Sequence, residues 1–416
     1  MRGKNSREYG NFHSMTNVLP FARRISNIGV SEILIVAAQA RTRIASGHDV
    51  VVLAAGEPDF DTPDNITAAA VRALDEGKTK YTALGGTPEL KDAIIGKFER
   101  SSGLRFGRDE IIACTGAKQV IYNAFMATLE EGDEVVVPAP YWLSYSDIIR
   151  ICGATPVVVG CDETGFKLVP AALERAITPG TRWLMLNSPS NPVGAVYSEG
   201  ELRGLAEVLR RHPHVRILSD DIYEHLIFDD LRFFTLAQVA PDLASRTLTL
   251  NGVSKAYAMT GWRLGYAGGP ADLIAAMAAV QSQSTSNACS ISQAAAVEAL
   301  TGPQDSVAER RLIFQQRRDF IWHALQDIPG LQAVRPSGAF YLFVNCAEAL
   351  GKTSPAGVPI RNDGDFCRQL LEEADVAVIP GSCFGADGYF RLSFASSMTE
   401  LERGASRIAK FCGSLS

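Results

Sequence analysis

Ser254-Lys255-Ala256-Tyr257-Ala258-Met259-Thr260-Gly261-Trp262-Arg263 follows the short apolar run Thr247-Leu248-Thr249-Leu250 and leads into Leu264-Gly265-Tyr266. A single Lys stands among small and aromatic neighbours, with an Arg eight residues further on. An ammonium group in such a semi-apolar setting loses solvation, so its pKa falls and the amine becomes nucleophilic. Residue type alone favours a plainer reading, a solvated surface Lys. The choice depends on what the flanking chain builds around position 255.

That flanking chain, from about residue 109 to 270, alternates short apolar strands with helices. The strands are expected at Glu134–Pro138, Pro156–Val159, Trp183–Asn187, Val215–Ser219, Thr247–Asn251 and Leu264–Gly268. Continuous Val/Ile/Leu runs fit a mostly parallel sheet covered by helices on both faces. Sites in such sheets lie beyond the C-terminal ends of the strands. Upstream, helical spacing over 31–46 ends at Gly47, and the extended Val50–Leu53 enters the turn-rich Gly56-Glu57-Pro58-Asp59-Phe60-Asp61-Thr62-Pro63. A helix over 64–76 is expected to be capped by Asp64, and another over 88–101 carries Pro88 in its first turn. Downstream, 271–328 reads as helical. Gly338–Val344, a helix near 363–374 and a strand at Tyr389–Phe394 read as a smaller α+β domain.

Bulk composition narrows the function classes. At 416 residues, two domains are the natural expectation. A net charge of -6 leaves no basic surplus to neutralise phosphates, which argues against a nucleic-acid binder. Eight cysteines are scattered without a CxxC or a His/Cys cluster, so reduced thiols in the cytoplasm are expected rather than a disulfide scaffold or a metal site. The first twenty residues lack an apolar core, so no signal peptide is expected, and no run approaches a membrane span. GxGxxG is absent, and Gly351-Lys352-Thr353 lacks the leading Gly of a phosphate loop, since that position is Cys346.

Five segments at or just past expected strand ends carry the unusual residues. Thr115-Gly116-Ala117-Lys118 opens a helical run over 117–130, and free N–H groups there suit a phosphate, although a plain strand-to-helix turn would look the same. Pro138-Ala139-Pro140-Tyr141-Trp142 offers aromatics that could cover a flat ring or simply pack in the core. Asn187-Ser188-Pro189-Ser190-Asn191-Pro192-Val193-Gly194 concentrates turn formers in a loop that needs a task. Ser219-Asp220-Asp221-Ile222-Tyr223 ends an apolar strand with two acids, one of which needs a cationic or N–H partner if buried. Arg391, between Phe390 and Leu392, either points to solvent or presents a planar fork to a carboxylate.

Taken together, Lys255 with Arg263, Asn191-Pro192-x-Gly194, Asp220-x-x-Tyr223 and Arg391 resemble a fold-type I pyridoxal-phosphate aminotransferase of class I. The likeness runs from Gly56-Glu57-Pro58-Asp59-Phe60 to the C-terminal strand and is nearest the bacterial aspartate/prephenate aminotransferase subgroup. It implies an α/β fold with a large domain on a mostly parallel seven-stranded sheet, plus a smaller α+β domain. The expected division is a flexible arm at 1–20, a segment at 21–60 contributing to the small domain, a large cofactor-binding domain at 61–305 and a small domain at 306–416.

The resemblance also implies roles. Lys255 would form the Schiff base with pyridoxal 5′-phosphate and then move a proton. Asp220 would pair with the ring nitrogen, Tyr223 and Asn191 with the ring oxygen, and Trp142 would stack on the ring. Arg263, Ser254 and the backbone at Gly116, Ala117 and Lys118 would hold the phosphate. Tyr81 would reach the phosphate of a neighbouring subunit, which implies a homodimer with shared sites. Arg391, Asn191, Trp142 and the Gly56 backbone would bind the substrate, an amino acid or 2-oxo acid. No metal, nucleic acid or membrane partner is expected.

Two departures from the subgroup bear on chemistry. A phosphate-binding Ser three residues before the Lys is replaced by Gly252, and the substrate-facing Lys-Pro-Ser-Ala-Thr is replaced by Gly29-Val30-Ser31-Glu32-Ile33. If that segment lines the pocket, a second substrate carboxylate meets an apolar or negative wall instead of a cation. Aspartate-type exchange is the default, with a neutral, aromatic or basic donor as competitor. The rivals are a lyase, decarboxylase or synthase on the same fold, and a ligand-sensing regulator, for which residues 1–30 are too short to supply a DNA-binding module.

Overall fold

The structure is a computed structural model that describes residues 22–25 and 28–416. The arm expected over 1–20 lies outside the described residues. Seven strands form the main sheet: β1 (Ile111–Cys114), β2 (Glu134–Ala139), β3 (Thr155–Gly160), β4 (Thr181–Asn187), β5 (Arg216–Asp220), β6 (Thr247–Gly252) and β7 (Gly265–Gly268). Their spatial order is β1-β7-β6-β5-β4-β2-β3. Only β7 runs against its neighbours β6 and β1; the other pairs are parallel. Successive residues enter opposite layers: Val135 and Val137 join one core, and Val136 joins the other with Leu184, Leu186 and Ile217. Burial on both faces explains why these strands read as unbroken apolar runs.

The parallel register decides what the strand ends share. Asn187 pairs with Asp220, and Asp220 with Leu250, so the C-terminal ends of β4, β5 and β6 meet along one edge. Lys255 follows β6 by three residues and falls at that edge. A second, four-stranded sheet has the order Ile379–Pro380, Tyr389–Ser393, Tyr341–Asn345, Gln332–Ala333, all antiparallel. Val51–Val52 pairs in parallel with Val376–Ala377 and so ties the early chain to the late one.

Several boundaries differ from expectation for local reasons. The helix after Pro63 begins at Asp64, so Pro63 takes the cap position and Asp64 sits in the first turn. The helix opening at Ala117 stops at Met126 rather than 130, because Glu130 already turns, its N–H donating to Asp133 (2.9 Å). The stretch 271–328 is three helices, Ala271–Ser282, Ser290–Thr301 and Asp305–Gln326, interrupted at Ser284–Asn287 and Gly302-Pro303. Polar turn formers and a proline break each join. Strand β1 is short and was not delimited from sequence.

One buried ion pair ties a helix to the end of β5. Lys97, on helix α1 (Pro88–Ser102), pairs with Glu224, both side chains 5% exposed, and His225 approaches Glu224 at 3.1 Å. Burial by itself would raise the Glu224 pKa, but Lys97 and His225 hold it down at about 2. The contribution of that carboxylate is therefore full above the ordinary carboxylate range and drains away as pH falls toward 2. Removing one partner of such a pair leaves a bare buried charge. Lys97→Met is expected to cost about 3–5 kcal/mol in urea unfolding at pH 7; a loss under about 1 kcal/mol would contradict it.

Candidate active site

Lys255 is half-buried, and its Nζ donates to the Gly56 carbonyl at 2.5 Å. Burial pulls the amine down to about 8, with Arg391 adding repulsion. About a tenth is thus the free amine at pH 7, against far less for an ordinary Lys, and the free amine is the form that attacks a carbonyl carbon. The loop around it is strained, with Ala258 and Arg263 both at positive φ (52° and 53°). It is strapped down by Thr62 Oγ1, which donates to the Ala258 carbonyl (2.8 Å) and accepts from the Trp262 indole (2.9 Å). Ser254 is buried beside Lys255, its carbonyl accepting from the Met259 N–H at 3.1 Å. At Gly252, a Cβ would lie 3.0 Å from Ile222 and 3.2 Å from the Leu264 carbonyl, so close packing keeps a Ser side chain out of that position.

The two acids after β5 have separate surroundings. Asp220 is 4% exposed and accepts from the Tyr145 hydroxyl at 2.6 Å and the Ile222 N–H at 3.3 Å. Burial pushes its pKa up to about 6, against the pull of those donors and Lys255. Asp221 accepts from Ser219 (2.7 Å) and is buried beside Thr235, with the Lys97–Glu224 pair as its charged neighbours. Only Asp220 is thus placed to offer a carboxylate to a cationic group at the strand edge. Asn187 steadies the same edge: its amide donates to the Asp220 carbonyl (2.8 Å), and its oxygen accepts from the Asn191 N–H (2.8 Å). The loop that presents Asn191 turns at Gly194 (φ 73°), where a Cβ would collide with the Gly338 carbonyl.

Tyr223 is buried, and its hydroxyl bonds that of Tyr341 at 2.8 Å. Arg391 is fully buried, donating to Asn191 Oδ1 (3.1 Å) and the Ala54 carbonyl (2.8 Å), with the rings of Tyr341 and Phe384 beneath it at 4.4 and 5.1 Å. It has no carboxylate partner among the described residues, and its Nε is without a hydrogen bond. A buried guanidinium left in this state is built to receive an anion.

Helix α2 (Ala117–Met126) has no side-chain cap; the Gln119 N–H donates to the Gly116 carbonyl (3.0 Å), which leaves those of Ala117 and Lys118 open. Gly116 (φ 86°) brings the backbone so close to the Arg263 guanidinium that a Cβ would clash with it. Open N–H groups at a helix N-terminus beside an Arg fit a phosphate. Trp142 lies next to Lys118, whose Nζ is 4.8 Å from the indole, and packs edge-on against Tyr145 (5.4 Å). The donor set therefore fits pyridoxal phosphate: a nucleophilic amine, a buried acid for the ring nitrogen, phenol and amide donors, an aromatic wall and a phosphate cradle. Tyr81 is the exception, 91% exposed in the single chain.

The segment expected to oppose a second carboxylate divides. Gly29 and Ser31 line a cleft with Lys118 and Arg263, whereas Ile33 packs into the core beside Val36 and Phe384. Glu32 is outside that lining and close to the thiols of Cys367 and Cys383. Glu32 thus does not face the cleft; the acid in its lining is Asp147, beside Lys118. Tyr145, Tyr341 and Asn187 were missed by sequence reading. Tyr145, three residues past Trp142, carried a signal only as another aromatic in the same turn. Its partner is 75 positions away.

The profile described as Aminotransferase class I and II matches residues 48–408. The chain is 58% identical to an aspartate aminotransferase of Rhizobium meliloti (strain 1021), over 95% of this chain and 97% of that one. It is 54% identical to an aspartate/prephenate aminotransferase of Cereibacter sphaeroides, over 94% and 98%. Among solved structures, the aspartate aminotransferase from Rhizobium meliloti superposes with a TM-score of 0.93 at 57% identity, covering 96% of this chain and 100% of that one. That from Thermus thermophilus with maleate gives 0.88 at 41%, covering 95% and 100%. No helix among the described residues is long and apolar enough to cross a membrane. The chain belongs to the class I and II aminotransferases, pyridoxal-phosphate-dependent enzymes that pass an amino group between an amino acid and a 2-oxo acid.

Proposed function

We propose that the protein is an aspartate-type aminotransferase, acting as a cytoplasmic homodimer. The observation that carries the substrate class is the cleft in which Lys118 faces Gly29 and Ser31 while Glu32 is turned elsewhere. Lys118 and Arg263 together outweigh Asp147, the acid of that lining, and a cationic surplus suits a donor with a second carboxylate. The Thermus thermophilus relative's structure with maleate, a dicarboxylate, supports the same class. Exposed Tyr81 supports shared sites, since an aromatic this exposed gains burial on association. The eight unpaired cysteines agree with a reducing compartment. We take 61–305 as the cofactor domain and 306–416, with 21–60, as the small domain.

Bound pyridoxal phosphate supplies the carbonyl that takes up the amino group and a ring that accepts electrons from the substrate Cα. Lys255 would hold it covalently and, as a free amine, would carry a proton at Nζ. The Gly56 carbonyl keeps that Nζ in place. Asp220, oriented by Tyr145, would hold a proton on the ring nitrogen, and Tyr223 and Asn191 would orient the ring oxygen. Trp142 covers one ring face. Arg263 and the Gly116–Lys118 backbone, with Ser254 nearby, anchor the phosphate. Arg391 and Asn191, beside the Gly56 backbone, would hold the substrate α-carboxylate.

A donor screen in single turnover, measuring 2-oxo acid and aminated cofactor together, tests this reading. L-Aspartate is expected to give both in equal amounts. No turnover with aspartate, alongside turnover of aromatic or neutral donors, would overturn the substrate class. Release of carbon dioxide or ammonia in place of the 2-oxo acid would favour a decarboxylase or lyase.

A further inference from the structure

Residues 54–62 have no regular secondary structure, yet they touch most parts of the site. The Ala54 carbonyl accepts from Arg391 (2.8 Å) and the Gly56 carbonyl from Lys255 (2.5 Å). Glu57 accepts from the Thr260 hydroxyl (2.8 Å), and Thr62 straps Ala258 and Trp262. A coil is a poor platform for two such acceptors, since nothing in its own backbone fixes their height. Its outer end is instead fastened to helix α3 (Asp305–Gln326). Asp59 makes a two-pronged ion pair with Arg317 (2.7 and 2.9 Å), whose side chain is only 10% exposed. Phe60 lies between the guanidinium groups of Arg310 and Arg317, each 5.0 Å from its ring, and meets Phe314 edge-on (5.4 Å). Arg310 also donates to the Asp61 carbonyl (2.6 Å).

We propose that Asp59 and Arg317 are positioning residues for the reaction: their ion pair, with Phe60 gripped beside it, sets where the Ala54 and Gly56 carbonyls meet Arg391 and Lys255. A bidentate Arg–carboxylate pair fixes direction as well as distance, which a single hydrogen bond does not. Only Glu57 and Pro58 separate Asp59 from Gly56, too few to absorb a shift at Asp59 without moving the carbonyl. Loosening the pair therefore withdraws one acceptor from the Lys255 ammonium and one from the Arg391 guanidinium. The inference rests on Lys255 as the cofactor-bearing amine and Arg391 as the carboxylate clamp.

The test compares full-length Asp59→Asn, Arg317→Met and Arg317→Lys with Arg43→Gln, which breaks a partly buried pair to Asp375 (2.6 Å) elsewhere. Three quantities are read: thermal midpoint; KM and kcat for the best donor; and, after the bound cofactor is removed, the pH midpoint of borohydride-trapped attachment of pyridoxal phosphate at Lys255. The charges that face Lys255, namely Arg391, Glu57, Arg263 and Asp220, are untouched by these variants. Losing an acceptor for the ammonium form lowers the midpoint, by about one pH unit for a charged hydrogen bond. Asp59→Asn and Arg317→Met are expected to show that shift and a KM raised about tenfold, with kcat less affected. Arg317→Lys keeps the charge and recovers part of both, and Arg43→Gln lowers only the thermal midpoint. If Asp59→Asn and Arg317→Met behave like Arg43→Gln, the positioning role is wrong. If the unaltered protein does not attach pyridoxal phosphate at Lys255, the cofactor assignment fails first, which is a separate result.

Discussion

Lys255→Ala is expected to abolish covalent retention of pyridoxal phosphate and to lower kcat about 10⁴-fold or more. Two functions vanish together, the covalent anchor and the proton carrier, and a positioned base alone is worth about 10²–10⁴-fold. Fold should survive. The amine bonds only the Gly56 carbonyl and is already held near 8 by burial, so its removal relieves a desolvated cation rather than opening a packed core. Borohydride reduction followed by peptide mass analysis reads the result directly. A covalent adduct persisting in the variant would mean that another lysine carries the cofactor. In the unaltered protein the attachment rate should climb with pH and level off above about 8, because the amine is protonated and unreactive below that value.

Asp220→Asn is expected to lower kcat about 10³-fold with little loss of stability. The replacement keeps the shape and an acceptor for the Tyr145 hydroxyl, but it cannot carry the charge that holds a proton on the ring nitrogen. Since burial raises the Asp220 pKa to about 6, the neutral amide is easily accommodated in the folded chain, while the ionised acid gains most once a cationic partner is bound. Asp221→Asn is the matched control, because that carboxyl accepts from Ser219 and has Glu224 and Lys97 as its charged neighbours. Half-reaction rates with the donor separate the two. Should Asp221→Asn be the crippled variant and Asp220→Asn retain activity within tenfold, the assignment of the acids is reversed.

Much of the fold was legible because its signal is local. Apolar runs such as Val135–Val137 are buried on both faces, so composition alone marked them as central strands, and loop-forming clusters such as Asn187–Gly194 marked where those strands end. Helix ends were less legible. Pro63 and Asp64 are both acceptable at a helix start, and the join at Ser284–Asn287 is disguised by helical neighbours on either side. The difference between β1 and an irregular segment lies in its pairing with β7, a contact made across more than 150 positions.

The sequence by itself determined which residues are chemically capable: one Lys in a semi-apolar loop, an Asp ending an apolar strand, and an Arg on an alternating strand. Residue type and strand-end position suffice for that, because chain direction places every parallel strand's C-terminus at the same edge. Tertiary structure decided which partner each of them meets. It put Tyr145 on Asp220, Tyr341 on Tyr223, and the Ala54 and Gly56 carbonyls on Arg391 and Lys255. It also turned Glu32 out of the cleft that Gly29 and Ser31 line and placed Asp147 there instead. Such pairings join residues 75 to 337 positions apart, and no local periodicity encodes a distance of that kind.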